Sequence, residues 1–359
     1  MRRYIFYAFI LLHLCVLFSA CGIDKANGFF ENGNETNRNP ILPVTNRIDI
    51  PYSYQYLLTG IPGGWICDIG NALLFFGESR GSTGVILYEY DKSTGNVELF
   101  CKDAACQHNS ERCASFSIYG NLELFDGEVY GLGSSVLKLN KDRFENVRGT
   151  NTVTSFQHYN GMLYAFTNDG TLLAYLKGSA SETIIRESVP ISNFWIQNGY
   201  MYNLKVDDVN GYVLYRMSVN MAYNKYDTDE IIITHVDFYR TDGIHIYYKS
   251  NNDFQLKRCD MNGHNVEELP IEHAYRLAFD DKYIYFWIFN INDTTYSENG
   301  NLYRVAKDLS GDSEFITKLY GRWPDIYPIY QSDFLFISMD QEWYIMSKNG
   351  ENFQKIILP

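Results

Sequence analysis

The chain has 359 residues, 43 of them acidic and 30 basic, for a formal net charge of −13, and 46% are hydrophobic, with 30 Tyr and 23 Phe. So negative a surface is repelled by phosphate backbones, which excludes nucleic acid as a partner. The length and apolar content are ample for one large core and exclude a disordered chain.

At the N-terminus, Arg2 and Arg3 precede an apolar run from Tyr4 to Phe18 that ends in Ser19 and Ala20 before Cys21. These are the three parts of a secretory signal, and the run is too short for a comfortable membrane span. Leu17-Phe18-Ser19-Ala20-Cys21-Gly22 resembles the lipobox of bacterial lipoproteins. The resemblance implies cleavage after residue 20, lipidation of Cys21 and a place on the extracytoplasmic side of a bacterial membrane. Two acyl chains hold a protein there stably where one does so marginally. Residues 21–50 then form the lipidated N-terminus and a tether rich in Asn, Gly and Glu. Residues 51–359 are expected to form the folded domain, and the alternating stretch from Tyr52 to Leu58 is expected to add the outer strand of its last unit.

From Trp65 onward one phrase recurs, a tight turn followed by an alternating aromatic strand. Clear copies are Asp126-Gly127-Glu128-Val129-Tyr130, Asn160-Gly161-Met162-Leu163-Tyr164, Asn198-Gly199-Tyr200-Met201-Tyr202 and Asp242-Gly243-Ile244-His245-Ile246-Tyr247; looser ones begin near Gly70, Asp281 and Ser332. Asn-Gly and Asp-Gly suit hairpin turns with two positive φ angles. Seven copies, each able to supply about four short strands, predict an all-β fold, a β-propeller of four-stranded antiparallel blades, most simply seven. The expected blades are 65–101, 115–150, 155–190, 192–231, 233–271, 273–320 and 325–359. Most of the aromatic residues fall in these strands, where inter-blade packing accounts for them; Trp323, before Pro324, is the better candidate for an exposed face.

After the first expected blade comes an insertion at 101–113, with Cys101, Cys106, His108 and Cys113. Three thiolates and an imidazole suit a tetrahedral structural zinc ion, although the spacing is not that of a standard zinc knuckle or ribbon. An exported protein also meets oxidising conditions in which cysteines pair. Without Cys15 and Cys21 five cysteines remain, so complete intrachain pairing is impossible. Disulfide, structural metal and unpaired thiols therefore stand side by side, and in each the segment is a clasp.

Tyr212-Val213-Leu214-Tyr215-Arg216-Met217 and Gly300-Asn301-Leu302-Tyr303-Arg304 resemble the bacterial propeller domain of unknown function likened to the low-density-lipoprotein-receptor-related β-propeller. The likeness spans nearly all of 65–359 and implies a propeller often carried by lipoproteins. It brings no catalytic residue.

Enzyme signals are weak. Gly77-Glu78-Ser79-Arg80-Gly81 fits G-x-S-x-G but falls in a hairpin, without the strand-to-helix elbow that this motif needs. The histidines after the insertion never take H-E-x-x-H spacing. Asp207, Asp208, Asp280, Asp281, Asp308 and Asp312 lie in turns, where solvated carboxylates are the rule; lining a ring opening, they would suit glycoside hydrolysis or Ca²⁺. The expectation is a membrane-anchored binding or scaffold lipoprotein whose ligand is an envelope protein, peptide or glycan. The alternatives are an extracellular polysaccharide hydrolase or lyase with acids from several blades, and a structural part of an envelope assembly.

Overall fold

The computed structural model describes residues 65–359 apart from 79–84, 104, 108–112, 114–115, 118–121, 134, 141–142, 148–152, 177–181, 188–193, 220–228, 254, 290–298, 322–323 and 330–331. Cys21, the tether, Tyr52 to Leu58, His108 and Trp323 therefore lie outside the described residues.

Seven antiparallel sheets follow one another along the chain. The first contains β1 (Ile66–Asp68), β2 (Ala72–Glu78), β3 (Val85–Asp91), β4 (Val97–Leu99) and the short β5 (Phe116–Ser117); the second, β6 (Leu122–Phe125), β7 (Glu128–Leu132), β8 (Val136–Asn140) and β9 (Arg143–Asn146). The third has β10 (Val153–Tyr159), β11 (Met162–Thr167), β12 (Leu172–Leu176) and β13 (Glu182–Arg186); the fourth, β14 (Trp195–Gln197), β15 (Tyr200–Asp207), β16 (Gly211–Ser218) and β17 (Glu230–Ile233). In the fifth are β18 (Val236–Thr241), β19 (His245–Ser250), β20 (Gln255–Asp260) and β21 (Glu267–Glu272); in the sixth, β22 (Ala274–Phe279), β23 (Tyr283–Phe289), β24 (Asn299–Ala306) and β25 (Glu314–Tyr320). The seventh has β26 (Asp325–Pro328), β27 (Phe334–Met339), β28 (Glu342–Ser347) and β29 (Gln354–Lys355). First strands of neighbouring blades approach one another, as β1 does β6, β10 does β14 and β22 does β26, so they are the inner strands of the ring.

A four-stranded sheet cannot bury its two apolar faces by itself, and each blade here uses its neighbours to do so. Among the described residues there are seven buried clusters, one at each blade-to-blade seam. Phe166 meets Phe194 across the third seam, with ring centroids 4.8 Å apart, and Tyr247 meets Phe279 across the fifth at 4.6 Å. The cluster that joins Phe75 and Tyr88 to Phe336 and Trp343 closes the ring between the last blade and the first. The result is the seven-bladed propeller expected from the sequence.

Among the described residues the fourth strand of the last blade is β29, from the C-terminal stretch; the strand expected from Tyr52 to Leu58 lies outside them. One detail differs from the expectation. The first blade extends further: β4 pairs with the Tyr88–Tyr90 half of β3, and β5 returns to pair with its Val85–Ile86 half. The cysteine segment is thus an excursion from the outer edge of one blade and back to it.

The recurrent turn has two physical forms. Asp126, Asn160 and Asn198 have φ of 54°, 47° and 51° and are followed by glycines at 73°, 73° and 79°, the pair of positive angles that a tight hairpin of this type needs. Asp242-Gly243 is out of step by one residue. Asp242 stands at the corner before the turn, and its carboxylate accepts hydrogen bonds from the amides of Ile244 and His245 at 2.9 and 2.7 Å. Asp280 does the same for Lys282 and Tyr283, so it is a buried, paired group and not a solvated turn residue. Each of these aspartates meets a lysine of the following blade, Asp242 with Lys307 at 3.2 Å and Asp280 with Lys348 at 2.9 Å.

A second staple uses arginines of the third strands β16, β20 and β24. Arg216, Arg258 and Arg304 each pair with a glutamate of the fourth strand, Glu230, Glu267 and Glu314, at 2.6 to 2.8 Å. The same arginines donate to backbone carbonyls of the next blade, at Met261, Lys307 and Lys348. The Tyr-Arg phrase is inter-blade fastening.

Burial alone would raise the pKa of Asp242 and Asp280; the charges of Lys307 and Lys348, together with the amide hydrogen bonds, outweigh it and hold both carboxyls below the ordinary range. A depressed folded-state pKa gives stability that is fully present above the unfolded value of about 3.9 and is lost as pH falls through the folded value. The urea midpoint should therefore fall on acidification below about pH 4, and Lys348→Met should blunt that fall. An equal acid dependence in wild type and variant would refute the assignment to this pair.

Candidate functional site

The cysteine excursion is built on the outer edge of the first blade. Phe100, almost fully buried, donates its amide to the Leu87 carbonyl at 3.1 Å and seats the start of the excursion in the seam between the first two blades. Cys101 follows directly and packs against the same seam. Asp103 then turns the chain: its carbonyl accepts from the Cys106 amide and its carboxylate from the Ala105 amide, both at 3.0 Å. Cys113, 4% exposed, lies three residues before β5.

The Sγ atoms of Cys101, Cys106 and Cys113 all lie within 4.8 Å of one another. Four ligands at 2.3 Å around a tetrahedral ion place neighbouring sulfurs about 3.8 Å apart, so the three thiols need little adjustment to close on one ion. No disulfide joins the described cysteines, and a bridge within the trio would use two and leave the third beside it. Burial pushes the Cys101 thiol up, hydrogen bonds from Asp103 and Cys113 pull the other way, and Cys106 adds to the rise. A dication would reverse that balance, because a coordinated thiol gives up its proton. Lys102 Nζ binds Glu98 at 2.6 Å, so its charge is engaged on the strand side. The arrangement suits metal holding more than nucleophilic chemistry. The sequence brought the three cysteines into one candidate site and the structure brings their sulfurs together.

Of the other residues considered in the sequence, Asp207 and Asp308 cap turns through the amides of Val209 and Ser310. His245 is part-exposed, 3.8 Å from Asp242. Gly77 and Glu78 end β2, which passes into β3 without a helix, and Ser79 lies outside the described residues.

Sequence reasoning missed a belt on the inner strands. The aromatic hairpin positions and their neighbours face one inner-strand residue per blade: Cys67 opposite Leu74, Glu123 opposite Tyr130, Gln157 opposite Tyr164, Trp195 opposite Tyr202, Arg240 opposite Tyr247, Ala278 opposite Tyr285 and Tyr327 opposite Phe336. The belt therefore holds seven different residue types in one structural position. Two of them clip neighbouring blades. Glu123 accepts from the His158 amide at 3.0 Å and meets the His158 ring at 2.7 Å, both side chains being 3% exposed. Gln157 makes a double contact with the Ile196 backbone, at 2.6 and 2.9 Å. The signal in the sequence was Glu123, the lone polar residue of the apolar strand Leu122–Phe125.

No family model matches the chain, and no curated protein matches it. Among solved structures it is similar to the putative TolB from Agrobacterium tumefaciens, at 11% identity over 54% of this chain and 77% of that one, with a TM-score of 0.38. It is also similar to oligogalacturonate lyase in complex with manganese, at 10% identity over 85% and 76% with a TM-score of 0.44, and to a chain of the nidogen/laminin complex, at 12% over 55% and 80% with a TM-score of 0.36. None of these likenesses carries a residue role to this chain.

Proposed function

We propose that the protein is a lipid-anchored, extracytoplasmic binding or scaffold propeller of a bacterial envelope, held at the membrane through Cys21 and offering its ring to an envelope protein, a peptide or a glycan. The rigid ring carries this reading. A buried cluster locks every blade to the next, so turns such as Asp126-Gly127, Asn160-Gly161 and Asn198-Gly199 are held in fixed places on the ring. Turns and loops carried by a rigid scaffold suit recognition. The purified chain, offered an envelope extract and a glycan panel, should retain a partner without releasing reducing sugar; release of reducing ends would overturn the reading.

Cys101, Cys106 and Cys113 hold a structural metal ion of the zinc class in this proposal, with the sequence's fourth ligand candidate at His108. The ion ties the two ends of the excursion where β4 and β5 share one edge, offsetting the closure entropy of the loop. We expect one zinc per chain, and three thiols that alkylate only after chelation; Cys106→Ser should lose the metal. A chain without zinc that shows one alkylatable thiol in this segment would establish the disulfide instead.

A further inference from the structure

The three sulfurs of the cysteine excursion differ in access and in what holds them. Cys101 and Cys106 are part-exposed and Cys113 is 4% exposed, yet each Sγ lies within 4.8 Å of the other two. Cys101 packs against the seam between the first two blades, directly after Phe100, whose amide donates to the Leu87 carbonyl. Cys113 is buried three residues before β5, which returns to the edge of β3. Cys106 closes the turn at Asp103, and its amide donates to the Asp103 carbonyl within the excursion itself. Two thiols thus stand at the two feet of the excursion, and the third rides on a turn between them.

We propose that this clasp is a redox switch, in which a hydroperoxide joins Cys101 to Cys113 in a disulfide, discharges the metal and leaves Cys106 as a thiol. The proposal rests on the metal reading of the same three residues and names what regulates it. Sulfurs this near need to approach by less than about 3 Å to reach the ~2.05 Å of an S–S bond. The part-exposed Cys101 thiolate attacks the terminal oxygen of the hydroperoxide; the O–O bond breaks, the departing alkoxide or hydroxide takes a proton from water, and Cys101 becomes a sulfenic acid. The Cys113 thiolate then attacks Cys101 Sγ; the S–O bond breaks, the hydroxide leaves as water after taking a second proton, and the S–S bond forms. The two sulfurs have lost one electron each, and the hydroperoxide has gained both. Cys106, the one thiolate that remains, cannot hold the ion alone and takes up a proton.

The choice of pair follows from the fold. A bridge between the feet closes the whole excursion and restrains the unfolded chain more than the shorter Cys101–Cys106 loop would. It also leaves the turn that carries Cys106 where it is. The oxidised clasp therefore still ties β4 to β5, while Cys106 changes from a metal ligand into a thiol open to alkylation.

The test uses the full chain purified under reductant, loaded with zinc, cleared of excess metal and treated with a stoichiometric amount of hydrogen peroxide. A zinc-responsive dye should record the release of one ion per chain, and peptide mapping should find Cys101 joined to Cys113 with Cys106 alkylated; dithiothreitol followed by zinc should restore the starting state. Cys106→Ser, which weakens metal binding, should still form the bridge, whereas Cys113→Ser should slow disulfide formation in this segment at least tenfold. A reduced chain that takes up no zinc refutes the metal reading and the release with it. Zinc that binds and then stays bound after peroxide, or leaves without a bond between Cys101 and Cys113, overturns the switch alone.

Discussion

Trp343→Ala should be among the most destabilising single changes in the ring, lowering stability by roughly 3–5 kcal/mol. The indole is 2% exposed on β28 and fills the seam between the last blade and the first, edge-on to Phe75 with centroids 5.1 Å apart and 5.6 Å from Tyr327. Its Nε1–H donates to the Phe76 carbonyl at 2.8 Å, so truncation opens a cavity and also leaves a buried carbonyl without that donor. Position adds to the effect. Among the described residues it is side-chain packing that joins the last blade to the first. Urea unfolding should show a lower midpoint, and limited proteolysis should cut first in the first or seventh blade. Trp343→Phe separates the two contributions, because it keeps most of the volume and loses the donor, for about 1–3 kcal/mol. An alanine variant within 1 kcal/mol of wild type would mean that the ring is closed by something other than this seam.

Glu123→Leu should cost a similar amount, roughly 3–5 kcal/mol, for an electrostatic reason. The carboxylate receives both the backbone amide and the ring nitrogen of His158, and both side chains are nearly sealed from water. The imidazole lies among Phe125, Tyr130 and Phe156, with ring centroids at 4.4, 4.2 and 6.1 Å, which offer it little polar substitute. Removing the carboxylate strands two buried donors at once. The double variant Glu123→Leu with His158→Leu should recover part of the loss, since an apolar pair no longer leaves an imidazole unsatisfied. If the double variant is as unstable as the sum of the two single changes, the pair is not coupled and the account fails.

The two predictions differ in how much of them the sequence contained. Trp343 stands in an alternating strand, and its burial was legible from that pattern; its role in closing the ring was not, because the Phe76 carbonyl that it binds is 267 residues away. Glu123 and His158 are 35 residues apart on two inner strands, and only the stacking of blades brings them together. The cysteine excursion was the reverse case. Its cysteines are close in sequence, so the candidate site was visible there, while its anchoring on two halves of β3 needed the folded sheet.

What the sequence determined by itself was the unit and its number. The positive-φ turns at Asp126-Gly127, Asn160-Gly161 and Asn198-Gly199 are local requirements that few residue types meet, and aromatic alternation declares a strand wherever it occurs. Tertiary structure alone decided what the units do for one another. Asp242 and Asp280 look like turn residues and are buried inter-blade anchors; the Tyr-Arg phrases look like strand sequence and reach carbonyls of the next blade. The physical reason is range. A turn answers to its own φ angles, whereas a charge or a buried donor answers to whatever lies within a few ångströms, and in a ring those neighbours come from another blade.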